Sequence, residues 1–246
     1  MSVEAKEETR YARQLLLPAF AEGGQEKLRD ASVLVVGAGG LGSPVLLYLA
    51  GAGVGRLELI DDDTVAVSNL HRQPLHTLQD VGKPKSASAE GKLRARAGDL
   101  VSVRSHQRRL TPDLARRMFP DFDLVVDASD NFETRYLVSD TAAEVGVPVV
   151  WGAVLGFDAQ VSVFAGGLTL RDVHPAPPHV EGGSPPGQES PSGQPAVGPL
   201  VGQAGSIMAK EALKVLGHFG DPLIGRLLVI DAYNARFYEL PVVKRP

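Results

Sequence analysis

Residues 32–72, SVLVVGAGGLGSPVLLYLAGAGVGRLELIDDDTVAVSNLHR, are the part of the chain from which its architecture can be read. Residues 33–36 form a short apolar run rich in β-branched side chains, the composition of a buried parallel strand. Gly37, Gly39 and Gly42 follow as G-x-G-x-x-G, with Gly40 as an extra glycine. Such glycines allow a tight turn and let backbone N–H groups approach a phosphate at a helix N-terminus, where the helix dipole favours an anion. Residues 41–52 supply the helix and 53–55 break it. Residues 57–60 make a second strand that ends at Asp61, where a dinucleotide-binding fold keeps the acid that meets a ribose. A glycine motif alone is a weak signal. With strand, helix and acid in place around it, the stretch predicts a nucleotide site.

Working outward, the 246 residues suffice for one large α/β domain, expected to span 1–246. A hydrophobic share of 43% and a charged share of 22% are those of an ordinary globular protein. The net charge of -4 provides no basic field for nucleic acid. No 18-residue apolar run marks a membrane span, and the charged start MSVEAKEETRYARQ lacks a signal-peptide core. A cytoplasmic location is expected. The absence of cysteine removes disulfides, thiolate zinc sites and a cysteine nucleophile together.

Before the glycine stretch, residues 4–17 read as a helix ending near Pro18, with Arg10 and Arg13 one turn apart, and 25–29 as a short helix. After it, Lys83 and Lys85 flank Pro84 on an expected loop before a helix over 86–97. Further strands are expected over 101–105, 123–127 and 148–151, and helices from Thr111 to about 119 and from Asn131 to 145. Gly37, Asp61 and Asp130 then all lie beyond carboxyl ends of strands, where open α/β sheets bind ligands. Past residue 151 the pattern changes. Residues 159–164 alternate like an antiparallel strand, and 174–199 hold eight prolines and five glycines, the composition of a mobile loop. A helix over 203–216 and a hairpin of 226–231 with 235–240 close the chain. The expected fold is α/β: a Rossmann-like, mostly parallel sheet with helices on both faces, extended by antiparallel strands in the C-terminal half. The nucleotide-binding half covers about 1–151 and the second half about 152–246.

A dehydrogenase would need a hydride-transfer partner, and only His71 and His76 lie near the crevice. Asn69, Arg72, Lys83 and Lys85 instead suit a triphosphate, whose charge they would neutralise as it builds on leaving pyrophosphate. Asp130 is placed to bind the accompanying Mg²⁺. Surface ion pairs are the plainer account of the same charges.

The segments RYARQLLL (10–17), GAGGLGSP (37–44), DDDTVAVSNLHRQ (61–73), GKPK (82–85) and DASDNFETR (127–135) together resemble the MoeB/ThiF family, bacterial relatives of ubiquitin-activating enzymes. The resemblance runs through IGRLLVIDAYNARFYEL near the end and covers essentially the whole chain. It implies an adenylyltransferase that binds Mg²⁺ and ATP. The substrate would be the C-terminal glycine carboxylate of a small ubiquitin-like sulfur-carrier protein, MoaD- or ThiS-like, in molybdenum-cofactor or thiamine synthesis. The carboxylate attacks the α-phosphate, pyrophosphate leaves, and a separate sulfur donor later acts on the acyl-adenylate. By position, Gly37, Gly39, Gly40 and Gly42 would approach the phosphates and Asp61 the ribose. Asn69, Arg72 and Lys85 would clamp the phosphates, and Asp130 would hold Mg²⁺. Asp63, Ser68, Leu70, His71 and Asn131 complete the implied nucleotide contacts. Arg13 resembles the family's arginine contributed across a homodimer.

The sequence also departs from the family. Many members bind a structural zinc with two C-x-x-C pairs. Here the first pair falls at Thr169 and Asp172, and the second would fall past Pro246. No zinc site is expected, with Asp172, His174 and His179 as poor substitutes in a proline-rich loop. Without cysteine the chemistry should stop at the adenylate. The family's Gly-Gln pair stands as Ala159-Gln160. Competing readings are an ATP-dependent dehydratase of a tRNA base, a dimeric binding scaffold without activity, and an NAD-dependent dehydrogenase.

Overall fold

The computed structural model describes residues 3–175 and 195–245, with side chains from Glu7 onward. Its centre is one eight-stranded sheet of order β3-β2-β1-β4-β5-β6-β7-β8. In chain order the elements are α1 (Val3–Tyr11), α2 (Pro18–Ala21), α3 (Gly24–Asp30), β1 (Ser32–Val36), α4 (Gly42–Ala52), β2 (Arg56–Ile60), α5 (Lys85–Ala97), β3 (Ser102–His106), α6 (Pro112–Met118), β4 (Leu124–Asp127), α7 (Phe132–Val145), β5 (Val149–Leu155), β6 (Asp158–Phe164), α8 (Leu170–Val173), α9 (Gly198–Gly217), β7 (Arg226–Asp231) and β8 (Arg236–Pro241). The first five strands pair in parallel and β5 to β8 antiparallel, as the sequence pattern predicts.

Alternation along each strand feeds two cores. Val33 and Val35 of β1 join Leu57 and Leu59 of β2 on the face covered by α3, α4, α5 and α9. Leu34, Val36, Val125 and Trp151 face α6, α7 and α8. The helices change face because the chain leaves β1 towards β2 and β3, then returns to place β4 on the other side of β1. Right-handed crossovers in opposite directions put their helices on opposite faces. The crevice above β1 and β4 is therefore the topological switch point. Helix α4 is apolar nearly all round because it lies between the sheet and α9, and Leu49 at its centre is fully buried. Truncating such a leucine to alanine costs about 2–5 kcal/mol. Buried Glu211 of α9 is matched by the backbone N–H of Leu223 at 2.9 Å and by Lys214 at 2.7 Å.

Four boundaries differ from the sequence reading, each through tertiary contacts. The helix predicted over 4–17 stops at Tyr11. Tyr11 is buried, the Gln14 amide donates to Gln25 at 2.6 Å and to the Ala52 carbonyl at 3.1 Å, and buried Phe20 of α2 packs on Phe219 with ring centroids 4.9 Å apart. Docking of this segment outweighs continuation of the helix to Leu16 and Leu17, which are exposed. Strand β5 continues past residue 151 to Leu155 because β6 folds back on it through a hairpin. Helix α9 begins at Gly198, with Pro199 in its first turn, rather than at 203. Of the loop expected over 174–199, residues 176–194 and His179 lie outside the described residues. Residues 195–197 instead bond to the β5–β6 turn, Gly156 N–H donating to the Pro195 carbonyl at 2.7 Å. Lys85 is the first residue of α5, not a loop residue before it.

Candidate active site

The glycine loop leaves β1 with Gly37 at φ +97°, a left-handed conformation open to glycine. A Cβ there would stand 2.8 Å from the Ala128 carbonyl, so the loops after β1 and β4 touch. A Cβ on Gly42 would overlap the Gly37 carbonyl at 2.0 Å, which is why α4 can start so close to the strand it follows. Ser43 closes the first turn, its N–H and hydroxyl both donating to the Gly39 carbonyl at 2.9 and 2.7 Å. The N–H of Gly40 has no protein acceptor among the described residues. The result is a cradle at a helix N-terminus suited to an anion.

Asp61 ends β2. Its carboxylate accepts the Ala38 N–H at 2.7 Å and the Asp63 N–H at 2.8 Å. Burial raises its pKa, against the pull of those N–H donors and of Lys85. Beyond it, residues 63–65 zip against 82–85: Val65 N–H donates to the Lys83 carbonyl at 2.9 Å and Lys85 N–H to the Asp63 carbonyl at 2.8 Å. This ladder seats buried Lys85, whose Nζ lies 2.7 Å from the exposed Asp63 carboxylate.

The intervening segment holds a short 3₁₀ turn over Val67–Asn69. Asn69 Oδ1 accepts the Ala66 N–H at 3.1 Å and so shapes that turn. The Asn69 carbonyl accepts from Arg72 and Gln73, both at 3.1 Å. Arg72 donates to the Ser68 carbonyl at 3.0 Å and sits 2.8 Å from His71 Nε2. Ser68 and His71 are exposed, and Leu70 half-buried. The first turn of α9 closes over this segment. A Cβ on Gly198 would meet the His71 carbonyl at 2.5 Å, and one on Gly40 would meet Val201 at 2.6 Å. Gly40, the 71–72 backbone and the start of α9 thus meet at one place.

On the other side of the crevice, Asp127 ends β4 and is 1% exposed. Its Oδ1 accepts the Ser129 N–H at 3.0 Å and hydroxyl at 2.7 Å, while buried Arg135 donates to the Ser129 carbonyl at 3.3 and 3.1 Å. Burial raises the pKa of Asp127 and lowers that of Arg135, and each charge offsets part of the other's shift. Ser129 is therefore gripped at both polar ends, and Asp130 projects just beyond it. Asp130 is exposed and makes no hydrogen bond among the described residues. Asn131, expected near the nucleotide, uses its Oδ1 to cap α7 through the Thr134 N–H at 2.9 Å. Sequence reasoning gave no role to Asp127, Arg135 or His76. The one visible signal was a buried-type run, DLVVD, ending in an acid with an arginine one turn into the next helix.

Arg13 is not at this site. Gln14 beside it bonds to Ala52 at the far end of α4, whereas the glycine loop is at the near end. Eleven residues of helix separate the two by about 16 Å. Arg13 is exposed and has no hydrogen bond or ion pair among the described residues.

The positions matching the family's zinc pair do not fit a metal. Asp172 Oδ2 accepts the Thr169 N–H at 2.7 Å, and Oδ1 accepts the Arg245 N–H at 2.8 Å. His174 Nε2 lies 2.8 Å from Gln160 Oε1. Among the described residues no three His, Cys, Asp or Glu side chains are grouped as metal ligands. None of their helices is long and apolar enough to cross a membrane.

The model of the ThiF family matches residues 11–246. The chain belongs to the ThiF family. Among ThiF-family relatives, a sulfur carrier protein adenylyltransferase of Thermus thermophilus is 49% identical over 96% of this chain and 88% of its own length. A probable adenylyltransferase/sulfurtransferase, MoeZ, of Mycobacterium tuberculosis is 41% identical over 100% of this chain, which spans 62% of that longer protein. The fold is shared with solved structures of lower identity. The microcin C7 biosynthetic enzyme MccB in complex with N-formylated MccA superposes with a TM-score of 0.83 at 22% identity, over 100% of this chain and 76% of the other. PaaA does so at 0.79 and 24%, with the same coverages.

Proposed function

We propose that this ThiF-family chain transfers the adenylyl group of ATP to the C-terminal glycine carboxylate of a ubiquitin-like sulfur-carrier protein, MoaD- or ThiS-like. The observation that carries the proposal is the convergence at the switch point of an anion cradle at Gly39 and Gly40, the cations Arg72 and Lys85, and an unbonded carboxylate at Asp130. Its 49% identity to a sulfur carrier protein adenylyltransferase supports the choice of substrate.

In this reaction a carboxylate oxygen of the carrier attacks the α-phosphorus, the bond from that phosphorus to the bridging oxygen breaks, and pyrophosphate leaves. No side-chain nucleophile is required, in keeping with a chain that has no cysteine. The protein's work is positioning and charge stabilisation. The loop amides and the start of α4 hold phosphate oxygens, Asp61 faces the ribose, and Arg72, Lys85 and Asn69 steady the phosphates as charge shifts to pyrophosphate. Asp130 is the side chain that would hold Mg²⁺, which would neutralise phosphate charge when bound. Arg13 is too far from its own chain's cradle to take part, which supports a homodimer in which each copy lends Arg13 to the other. Sulfur comes from a separate donor, since the described chemistry ends at the acyl-adenylate.

The test is carrier-dependent ATP–pyrophosphate exchange with MoaD-like and ThiS-like carriers in parallel. Exchange with one carrier, abolished by Asp130→Ala, supports adenylylation and identifies the pathway. Tight ATP binding without exchange for either carrier would overturn this choice of substrate.

A further inference from the structure

His76 is buried, 4% exposed, in the segment between β2 and α5, where Gln73 and Leu75 also turn inward. Both ring nitrogens are engaged. Nε2 stands 2.9 Å from the Ala38 carbonyl oxygen and Nδ1 2.9 Å from Ser88 Oγ of α5. A carbonyl can only accept, so Nε2 carries the proton. In the neutral ring Nδ1 then accepts from the Ser88 hydroxyl. Ser88 Oγ is in turn 3.4 Å from Lys92 Nζ, and Lys92 is paired with Asp80.

The partner of this contact is a residue of the glycine loop. The Ala38 N–H goes to Asp61 at 2.7 Å while the Ala38 carbonyl goes to His76. The two groups belong to successive peptide planes, so both planes flanking Ala38 are held. The second plane decides the polarity of the cradle. In a trans peptide the C=O and the following N–H point in opposite directions. With the Ala38 carbonyl turned in to His76, the Gly39 N–H is turned the other way. Were this peptide to flip, a carbonyl oxygen would face the phosphates in place of a donor. Glycine at 39 removes the steric barrier that would otherwise resist the flip.

We propose that His76 is a positioning residue of the nucleotide site: it holds the peptide between Ala38 and Gly39 in the one sense that presents an N–H to phosphate. The role rests on the nucleotide reading of the loop. It touches neither substrate nor reacting atoms and acts through the backbone. Burial, with Lys92 and Lys85 of α5 as nearby positive charges, lowers the ring's pKa. Asp80 on its own segment and the Ala38 carbonyl act in the opposite sense. The neutral ring with a protonated Nε2 is the form the geometry requires.

The test compares His76→Phe, which fills the space without a donor, with His76→Gln, whose side-chain amide can donate at a similar reach. ATP and adenosine binding to the full chain are measured by NMR titration, which reads weak as well as tight ligands. His76→Phe is expected to weaken ATP binding by about tenfold, the effect of losing one properly aimed donor. Adenosine, which has no phosphates, should bind all variants alike, and His76→Gln should bind ATP within about threefold of the parent. Should His76→Phe not fold, Ser88→Ala, which unties Nδ1, is expected to show a smaller loss confined to ATP. Equal losses for ATP and adenosine, or no difference between the Phe and Gln variants, would overturn the positioning role. A parent chain that binds no ATP would instead overturn the nucleotide reading itself.

Discussion

Lys85 Nζ lies 2.7 Å from Asp63 Oδ2, and the backbone N–H of Lys85 donates to the carbonyl of the same aspartate at 2.8 Å. The lysine side chain is 7% exposed and the aspartate side chain 63%. An almost enclosed cation is thus held by a partner that water can reach and that can yield to phosphate. Lys85→Ala is expected to lower carrier-dependent ATP–pyrophosphate exchange by about 10²–10³-fold, the usual loss for one charge-stabilising donor. Asp63→Asn should affect exchange far less, because the backbone bond remains. Steady-state exchange assays of both variants decide the point.

Asp130, unlike Asp61, Asp63 and Asp127, has no protein hydrogen bond among the described residues. Asp130→Asn should therefore leave stability within about 0.5 kcal/mol of the parent. Exchange should fall to background at any Mg²⁺ concentration. Denaturant unfolding read beside exchange activity separates the two effects.

Arg135 is the opposite case. Its guanidinium is buried beside the buried carboxylate of Asp127 and is 4% exposed. Arg135→Met would remove the positive charge that offsets part of the burial of Asp127 and would release the Ser129 carbonyl, at a cost of about 1–3 kcal/mol. Adding Asp127→Asn should recover part of the loss, since the two residues form one unit. Urea unfolding of the single and double variants measures the coupling.

Asp80 sets an acid limb. Burial opposes its charge, yet Lys92 and the Thr77 hydroxyl and N–H, at 2.7 and 2.8 Å, hold its carboxyl well below the usual carboxylate range. Its folded-state pKa is depressed, so its contribution is complete above the unfolded value of about 3.9 and is lost as pH falls through the folded value. Asp61 and Asp127 have raised folded-state values and act in the reverse sense at higher pH, their contribution being lost as pH rises from the unfolded value through the folded one. In Asp80→Asn, unfolding free energy should fall less steeply between about pH 4 and 2 than in the parent. Urea titrations across that range provide the slope.

The tail near Arg245 is tied to α8 by Asp172, where relatives in the resemblance carry a zinc pair. A strong chelator should leave the melting temperature unchanged. Asp172→Ala should lower stability by about 1–2 kcal/mol through loss of the Thr169 and Arg245 bonds. A large chelator-induced shift would show that a metal holds this region.

The parallel half of the fold was legible because its signals are local. A β-branched run, a glycine turn and an acid at the next strand end each depend on neighbours within a few residues. So do Arg72 and Lys85 in the stretch after β2 and Asp130 after β4, although Lys85 opens α5 and does not lie in the loop expected for it. The early end of α1 and the long β5 were not legible, because each is set by contacts with residues distant in sequence, Ala52 and Gln25 for the first and β6 for the second.

From the order of its residues alone the chain determined an α/β sheet with a glycine cradle at β1 and charged loops after β2 and β4. Periodicity and turn chemistry act over short range and survive in any reading of the string. Only the tertiary structure decided which groups grip that cradle. His76 meets Ala38 across 38 residues of chain, and Gly198 at the start of α9 closes on the His71 carbonyl from the far half of the chain. It also decided that Arg13 stands at the far end of α4 from its own chain's cradle. Direction in space, unlike hydrophobic pattern, is not written in the spacing of residues.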